Sequence, residues 1–202
     1  MTKIKLCGLS RYCDIESANE LMPDYIGFVF AVKSKRYVSP QKAAELKSLL
    51  SPSIKAVGVF VNEKPEQIAD LLNKGIIDIA QLHGDENEDY IVYLRELTDK
   101  PIIKAFRIEN ASDIKTAKQS TADYILLDSG AGTGTVFDWN LIKNIKRPYF
   151  LAGGLSLDNV ENALKILHPY AVDVSSGIET KGLKSKTKMS AFVAAVRKED
   201  RL

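Results

Sequence analysis

Two side chains in this sequence lie where a buried strand is expected to end, and both could exchange protons with a ligand. Cys7 closes the apolar run that begins at Ile4, and Asp128 closes the run 124–127. A carboxyl group half-buried beside apolar neighbours tends to have a raised pKa, which suits a proton donor. A cysteine can act as a base when cations or N–H dipoles lower its pKa from about 8.5. Each residue also has a simpler interpretation, because most buried cysteines only pack and many loop aspartates cap helices.

Small residues follow two consecutive strand-like runs near the C-terminus. Gly153 and Gly154 follow the first run, and Ser176 and Gly177 follow the second. Small residues let the backbone approach an anion closely, so that N–H groups and a following helix N-terminus can bind it. A tight turn explains one such pair equally well. Two pairs in adjacent loops favour a phosphate-binding site.

Three more polar residues and one glycine-rich segment complete the candidate site. Arg36 lies in the basic loop 34–37, which is either a solvated surface loop or a planar fork for a substrate carboxylate. Gln81 and His83 end another strand-like run and are candidate site-lining residues, although His83 could equally be structural. The segment 130–134 behind Asp128 is either a mobile lid or a plain connection.

These residues need a scaffold that brings strand ends together, and the chain repeats a strand-like run and an amphipathic segment about every 25 residues. The predicted strands span 4–7, 25–30, 54–60, 77–82, 102–106, 124–128, 149–152 and 171–174. The predicted helices span 14–21, 40–50, 65–73, 88–97, 111–118, 139–145, 157–167 and 187–198. Alternating strands and helices with short links predict parallel strands with right-handed crossovers. Eight units favour a closed α/β barrel, a minimal (β/α)₈ TIM barrel forming one domain over 1–202, and the alternative is an open doubly wound sheet.

Several helix boundaries have clear chemical signals. Ser39 followed by Pro40 is typical of an N-cap with proline in the first turn. The segment 156–159 offers side-chain oxygens for the start of another helix. Gly75 follows an apolar-periodic segment and is expected to end it.

Composition excludes several classes of protein. The 202 residues are 45% hydrophobic and 27% charged with a net charge of +2, which is typical of a globular protein and gives no basis for nucleic-acid binding. No apolar stretch approaches the roughly 20 residues that span a membrane, and no signal peptide is recognisable, so we expect a cytoplasmic protein. The two cysteines and two histidines form no metal-ligand spacing, so neither a disulfide nor a metal site is expected.

Six motifs, taken in order, resemble those of phosphoribosylanthranilate isomerase, and they span nearly the whole chain. They are KLCGLS at 5–10, SKRYVSP at 34–40, QLHG at 81–84, GTG at 132–134 with FDW at 137–139, AGGL at 152–155 and DVSSGIE at 173–179. Each motif alone is weak, but the ordered set is specific. Two departures from the family pattern are Ala131, where a second glycine is usual, and the segment 180–185, which leaves the role of Lys184 open.

The resemblance implies a (β/α)₈ barrel that acts in tryptophan biosynthesis without a cofactor. The family converts N-(5-phosphoribosyl)anthranilate into 1-(2-carboxyphenylamino)-1-deoxyribulose 5-phosphate, an Amadori rearrangement. By motif, Cys7 corresponds to the general base and Asp128 to the general acid. Arg36 corresponds to the residue that binds the anthranilate carboxylate, and phosphate-loop positions correspond to Gly154, Ser176 and Gly177. The expected partner is the small phosphoribosyl substrate, and the expected assembly is a monomer or a homodimer.

Two alternative functions remain at this point. One is another phosphosugar enzyme on the same barrel, such as the related histidine-pathway isomerase or indole-glycerol-phosphate synthase. The first usually pairs two aspartates and the second relies on lysines at strand ends, whereas this chain offers Cys7 and Asp128. The other alternative is a non-catalytic barrel that binds a phosphorylated ligand and has no use for this pair.

Overall fold

Eight parallel strands close into one barrel in sequence order, with β8 paired back to β1. The structure, a computed structural model, describes residues 1–128, 139–142 and 145–199. The strands are β1 (Lys3–Cys7), β2 (Tyr25–Val29), β3 (Lys55–Phe60), β4 (Ile79–Leu82), β5 (Ile102–Arg107), β6 (Tyr124–Asp128), β7 (Tyr149–Leu151) and β8 (Ala171–Val174). All eight predicted strands are therefore present, with ends within two residues of those expected, and the closed barrel is confirmed.

Among the described residues, helices lie in six of the seven connections between consecutive strands, and a seventh helix follows β8. They are α1 (Tyr12–Leu21), α2 (Pro40–Ser48), α3 (Pro65–Asn73), α4 (Glu88–Leu97), α5 (Ala111–Gln119), α6 (Val160–Leu167) and α7 (Lys186–Glu199). Where the sequence predicts a helix over 139–145, the described residues contain a short 3₁₀ turn at Trp139–Leu141. A small antiparallel hairpin, β9 (Glu179–Thr180) with β10 (Leu183–Lys184), precedes α7. Among the described helices, none is long and apolar enough to cross a membrane.

Two of the expected helix boundaries have the predicted chemistry, and one does not. The Ser39 hydroxyl accepts the backbone N–H of Lys42 at the start of α2. Gly75 has a φ of 70°, a left-handed conformation that favours glycine, just after α3. The helix expected over 157–167 begins only at Val160, and its N-cap residue Asn159 makes no side-chain capping bond. The Asn159 amide instead bonds Ser156 and Gly154 in the preceding loop.

Alternate residues of each strand form two separate apolar layers. The outward-facing set packs against the helices in the main core. The inward-facing set fills the lower barrel, where Phe150 contacts the rings of Tyr25, Tyr124 and Tyr170 at centroid distances of 5.4 to 5.7 Å. The barrel is thus packed below its upper end, and side chains at the carboxyl ends of the strands line the remaining space.

Candidate active site

A cavity of about 470 Å³ opens at the carboxyl ends of the barrel strands. Eight of the nine candidate site residues from the sequence line it: Cys7, Arg36, Gln81, His83, Asp128, Gly153, Gly154 and Ser176. The ninth, Gly177, lies directly after Ser176 in the next turn. Residues that are up to about 170 positions apart in the sequence therefore meet at one site, as the barrel geometry requires.

Cys7 is the last residue of β1 and points into this cavity from a crowded wall. It is 7% exposed and packs against Val29 and Val59. Gly27 on the neighbouring strand makes room for it, because a Cβ there would lie 2.6 Å from the Cys7 sulfur. Burial raises the pKa of the Cys7 thiol, and the cations of Lys5 and Lys184 only partly oppose that rise. The thiol form therefore predominates near neutral pH in the free protein.

Two charged residues that sequence reasoning missed lie beside Cys7. Lys5 is fully buried, and its Nζ lies 2.9 Å from Oδ2 of Asp173. The Lys5 ammonium also acts electrostatically on the Cys7 side chain and favours its thiolate. Burial alone would lower the pKa of Lys5, but Asp173 and Cys7 outweigh burial and raise it, so Lys5 stays cationic. Asp173 lines the cavity, and its Oδ1 is buried with no hydrogen-bond partner among the described residues.

A signal for this pair was present in the sequence. Lys5 lies two residues before Cys7 in an otherwise apolar run, and Asp173 lies in the middle of another. Because strand side chains alternate, Lys5 and Cys7 share the inner face of the barrel. A charged residue at an inward position of a buried strand is rarely tolerated unless it is paired.

Asp128 lies at the end of β6 and contacts His83, which in turn contacts Gln81. Its Oδ2 lies 3.3 Å from Nε2 of His83. On the other side of the imidazole, Nδ1 of His83 lies 2.9 Å from Nε2 of Gln81. Gln81 is 1% exposed, and its Oε1 has no partner among the described residues. The structure therefore places His83 in the site, between Gln81 and Asp128.

Arg36 reaches the cavity from the loop after β2 and is held by an acid that sequence reasoning did not single out. Its Nε and Nη2 donate to the two oxygens of Glu179 at 2.6 and 3.0 Å. Glu179 also accepts from Lys184 at 2.6 Å. Burial alone would raise the pKa of Glu179, but the hydrogen bonds from Arg36 and Lys184 lower it, so the carboxylate is ionised. Two cations and one anion leave a net positive charge beside the cavity.

Lys184, whose role the sequence left open, connects this group to the loop after β8. The β9–β10 hairpin returns the chain so that the Lys184 ammonium donates to the carbonyl of Ser175 at 2.8 Å. Ser175 in turn donates its hydroxyl to the Cys7 carbonyl at 3.2 Å. The hairpin therefore fixes the loop after β8 relative to both Arg36 and the end of β1.

The loops after β7 and β8, where the sequence predicts a phosphate site, approach each other closely through their backbones. Gly153 and Gly154 have φ values of 85° and 66°, which side chains other than glycine rarely adopt. A Cβ at Gly177 would lie only 2.1 Å from the carbonyl oxygen of Leu155. Glycine at 177 therefore lets the two loops touch, and the 3₁₀ turn Ser176–Ile178 begins at a residue that lines the cavity.

Three remaining points concern the expected lid, a second cavity and metal binding. The proposed lid over 130–134 lies outside the described residues. A second cavity of about 490 Å³, between the end of β2 and α3, is lined by Phe30, Tyr37, Glu66 and Asp70 among others and contains no candidate site residue. Within 1–128, 139–142 and 145–199, no group of three His, Cys, Asp or Glu residues could hold a metal ion.

Comparison with known proteins agrees with the geometry of the site. Residues 4–195 match the family described as N-(5'phosphoribosyl)anthranilate (PRA) isomerase. The N-(5'-phosphoribosyl)anthranilate isomerase of Thermoanaerobacter pseudethanolicus is 47% identical, and the match covers 98% of each chain. The phosphoribosyl anthranilate isomerase of Thermotoga maritima has a similar crystal structure, with a TM-score of 0.90 and 36% identity over 98% of this chain and all of that one.

A third similar structure carries a ligand. It is a phosphoribosyl anthranilate isomerase in complex with reduced 1-(o-carboxyphenylamino)-1-deoxyribulose 5-phosphate, with a TM-score of 0.88, 36% identity and coverage of 98% and 100% of the two chains. The barrel and the isomerase function that the ordered motifs predict are thus confirmed. The chain belongs to the N-(5'-phosphoribosyl)anthranilate isomerase family.

Proposed function

We propose that Cys7 and Asp128 carry out the isomerisation of this family by acid–base catalysis, converting N-(5-phosphoribosyl)anthranilate into 1-(2-carboxyphenylamino)-1-deoxyribulose 5-phosphate. The observation that carries the proposal is that both residues line one cavity, Cys7 from β1 and Asp128 from β6. In the barrel, β7 and β8 lie between these two strands, and their loops are the candidate phosphate site. A phosphate held there would place the attached sugar between the acid and the base.

Asp128 begins the reaction as a general acid. It gives its proton to the ring oxygen of the furanose, the bond between that oxygen and C1 breaks, and the nitrogen lone pair forms a C1 iminium. The carboxylate that remains can accept a hydrogen bond from His83, whose Nε2 lies 3.3 Å away. No metal or external electron acceptor is required, because the substrate nitrogen accepts the electron pair in the next step.

Cys7 completes the reaction as the general base. The iminium acidifies the C2–H bond, and the thiolate removes that proton to leave an enol-amine. The thiol then gives a proton to C1 while the Asp128 carboxylate takes up the hydroxyl proton of C2, directly or through solvent, which gives the ketone and restores both groups. Burial raises the pKa of Cys7, but the Lys5 cation favours its thiolate, and the cationic iminium would favour it further.

The charged ends of the substrate fix its direction in the cavity. Gly153, Gly154, Ser176 and Gly177 would hold the phosphate through backbone N–H groups. Arg36 would hold the anthranilate carboxylate. Glu179 occupies the Nε/Nη2 edge of its guanidinium, so the substrate would bind at the Nη1/Nη2 edge.

The partner and the location of the chain follow from the same proposal. The partner is the small phosphoribosyl substrate, and residues 1–202 act as one catalytic barrel in the cytoplasm. The assembly is a monomer or a homodimer, and a Thermotoga maritima relative is described as dimeric.

Turnover of the wild-type chain tests the function. Phosphoribosylanthranilate is generated in situ, and the loss of its fluorescence is followed with and without the purified protein. We expect turnover of about 1 to 10³ s⁻¹, with the carboxyphenylamino-deoxyribulose phosphate as product. Protection of the protein by the substrate against heat without turnover would indicate the phospho-ligand-binding alternative. If the substrate is neither turned over nor protects the protein, the remaining alternative is an enzyme that acts on another phosphosugar.

A further inference from the structure

Gln81, His83 and Asp128 form a chain of two contacts in the cavity, and the chemistry of the Gln81 amide fixes which atoms donate and which accept. Gln81 Nε2 lies 2.9 Å from His83 Nδ1, and His83 Nε2 lies 3.3 Å from Asp128 Oδ2. The Nε2 of a glutamine carries two protons and can only donate. With the Gln81 amide oriented so that Nε2 faces the imidazole, His83 Nδ1 accepts, which requires it to be unprotonated. The single proton of a neutral imidazole then lies on Nε2 and faces the Asp128 carboxylate.

We infer that Gln81 is a positioning residue that fixes His83 in its neutral Nε2–H tautomer, so that the imidazole donates a hydrogen bond to Asp128. The value of this for catalysis rests on the proposed role of Asp128 as the acid, whereas the tautomer itself does not. The hydrogen bond made by one ring nitrogen of a histidine determines whether the other nitrogen carries the proton. Gln81 makes that hydrogen bond to Nδ1 of His83.

The surroundings hold both residues of this contact in place. Gln81 is 1% exposed within β4, so its amide has little freedom to turn. The backbone N–H of His83 bonds the Phe60 carbonyl at 2.8 Å. The next residue, Gly84, donates its N–H to Glu86 at 2.8 Å, and Glu86 is paired with the buried Lys104. The loop that carries His83 is therefore anchored on both sides of the imidazole.

The arrangement has a consequence for proton donation. When Asp128 gives its proton to the furanose oxygen, a negative charge forms on the carboxylate. A neutral Nε2–H donor stabilises that charge through a charge-assisted hydrogen bond. The contact of 3.3 Å in the free protein is long, and such bonds shorten as charge develops. The opposite tautomer would present a lone pair to the carboxylate and repel it.

The tautomer can be measured without any assay of activity. The chain has two histidines, His83 and His168, so protein labelled with ¹⁵N-histidine gives two sets of ring signals. The variant His168→Asn identifies them, and asparagine suits the left-handed φ of 45° at 168. At about pH 8 we expect His83 to show a protonated Nε2 and a bare Nδ1. A protonated Nδ1, with or without a proton on Nε2, would overturn the inference.

Substitution of Gln81 tests whether the amide is the cause. Gln81→Met keeps the length of the side chain but removes the N–H donor, and Gln81→Leu serves if that variant does not fold. We expect His83 to lose its single tautomer and kcat to fall about 10- to 100-fold, the range for groups that orient a catalytic side chain. Gln119→Leu, at the exposed end of α5, is the matched control and should change neither. An unchanged tautomer in Gln81→Met would contradict the inference.

A double substitution separates positioning from a merely structural role. If Gln81 acts through Asp128, Gln81→Met should cost little further activity in the Asp128→Asn background. An equal additional loss in that background would show that Gln81 acts independently of Asp128. A correct tautomer together with an inactive wild-type enzyme would leave the inference standing and remove the proposed function.

Discussion

Lys5 and Asp173 form a buried ion pair across the seam where β8 closes against β1, with Nζ 2.9 Å from Oδ2. The two residues are register partners, and Cys7 follows Lys5 on the same inner face. Removing two charges from water costs several kcal/mol per ion, so such a pair is weak evidence for a stabilising role. What it does supply is a fixed positive charge that favours the thiolate of the candidate base.

Lys5→Met should therefore impair Cys7 as well as the fold. Burial raises the pKa of Cys7, and without the Lys5 ammonium the main group that lowers this pKa is the Lys184 cation. The pKa of Cys7 should therefore rise further. We expect the acid-side limb of kcat/KM to move to higher pH and alkylation of Cys7 by iodoacetamide to slow at a given pH. Loss of one partner should also lower the free energy of unfolding by about 3–5 kcal/mol.

The control for this change is Lys3→Met in the same strand. Lys3 is partly exposed and pairs with Asp24, so its loss should cost no more than about 1 kcal/mol and leave the pH profile unchanged. If Lys5→Met does not fold, adding Asp173→Asn removes the uncompensated charge. If the pH profile of kcat/KM does not move in Lys5→Met, or in the double variant with Asp173→Asn, the role assigned to Lys5 is contradicted.

Glu179→Gln should change how stability depends on pH. The pKa of Glu179 is lowered in the folded state from its usual 4.5, so its ionisation stabilises the fold at any pH above 4.5. That contribution is lost as the pH falls through the lowered pKa. We expect the variant to be about 2–3 kcal/mol less stable near pH 7, as for hydrogen bonds to charged groups, and the gap to narrow in acid.

Urea unfolding at a series of pH values measures this difference. Glu16→Gln, at an exposed position of α1, is the matched control and should show a small difference that hardly varies with pH. A gap for Glu179→Gln that remains constant from neutral pH to about pH 3 would show that the carboxylate is not what holds Arg36 and Lys184 together.

Gly177→Ala should damage the candidate phosphate site by contact alone. The added methyl group would lie 2.1 Å from the Leu155 carbonyl, so the loops after β7 and β8 must separate. We expect a loss of about 1–3 kcal/mol in stability, as in other overpacked sites, and a higher KM. Inorganic phosphate should also protect the variant less well against thermal unfolding.

Gly182→Ala distinguishes this clash from backbone strain. Gly182 has a φ of 78° but nothing within 4 Å of an added Cβ. Its substitution should cost about 1–2 kcal/mol through the left-handed conformation and leave KM unchanged. Equal KM values for Gly177→Ala and the wild type would argue against a phosphate contact at this loop.

Arg36→Ala should weaken substrate binding more than it slows the chemical step. The guanidinium is expected to hold the carboxylate of the substrate equally in the ground state and the transition state, so its loss raises KM with a smaller effect on kcat. Steady-state kinetics separate the two parameters, and Lys35→Ala, at an exposed position of the same loop, is the control. A KM equal to that of the wild type would remove the carboxylate-binding role.

The strands were largely predictable because each is a short apolar run bounded by turn residues. The 3₁₀ turn at Trp139–Leu141, between β6 and β7, was not predictable. An apolar pattern such as that of 139–145 does not distinguish a 3₁₀ turn from the start of a helix. Asn159 illustrates the same limit at a helix end. Its side chain competes for loop groups, and that competition depends on tertiary contacts that local sequence does not contain.

Those residues of the candidate site that lie at strand ends or within the quoted motifs could be predicted from the sequence. Barrel topology brings together any residues at those ends, so Cys7, Asp128 and the glycine loops could be placed from order alone. Glu179 and Lys184 could not, because the contacts of Glu179 with Arg36 and with Lys184 depend on how the β9–β10 hairpin folds back. The expected raised pKa of Asp128 stays a prediction.

Proton transfer by Cys7 and Asp128 is most directly tested by comparing kcat for wild type, Cys7→Ser and Asp128→Asn with phosphoribosylanthranilate generated in situ. Cys13→Ser and Asp99→Asn, both at exposed positions, are the matched controls and should turn over at nearly the wild-type rate. We predict that each site variant folds and loses at least about 10²-fold in kcat, the usual contribution of a general acid or base. Full activity in both Cys7→Ser and Asp128→Asn would contradict the mechanism.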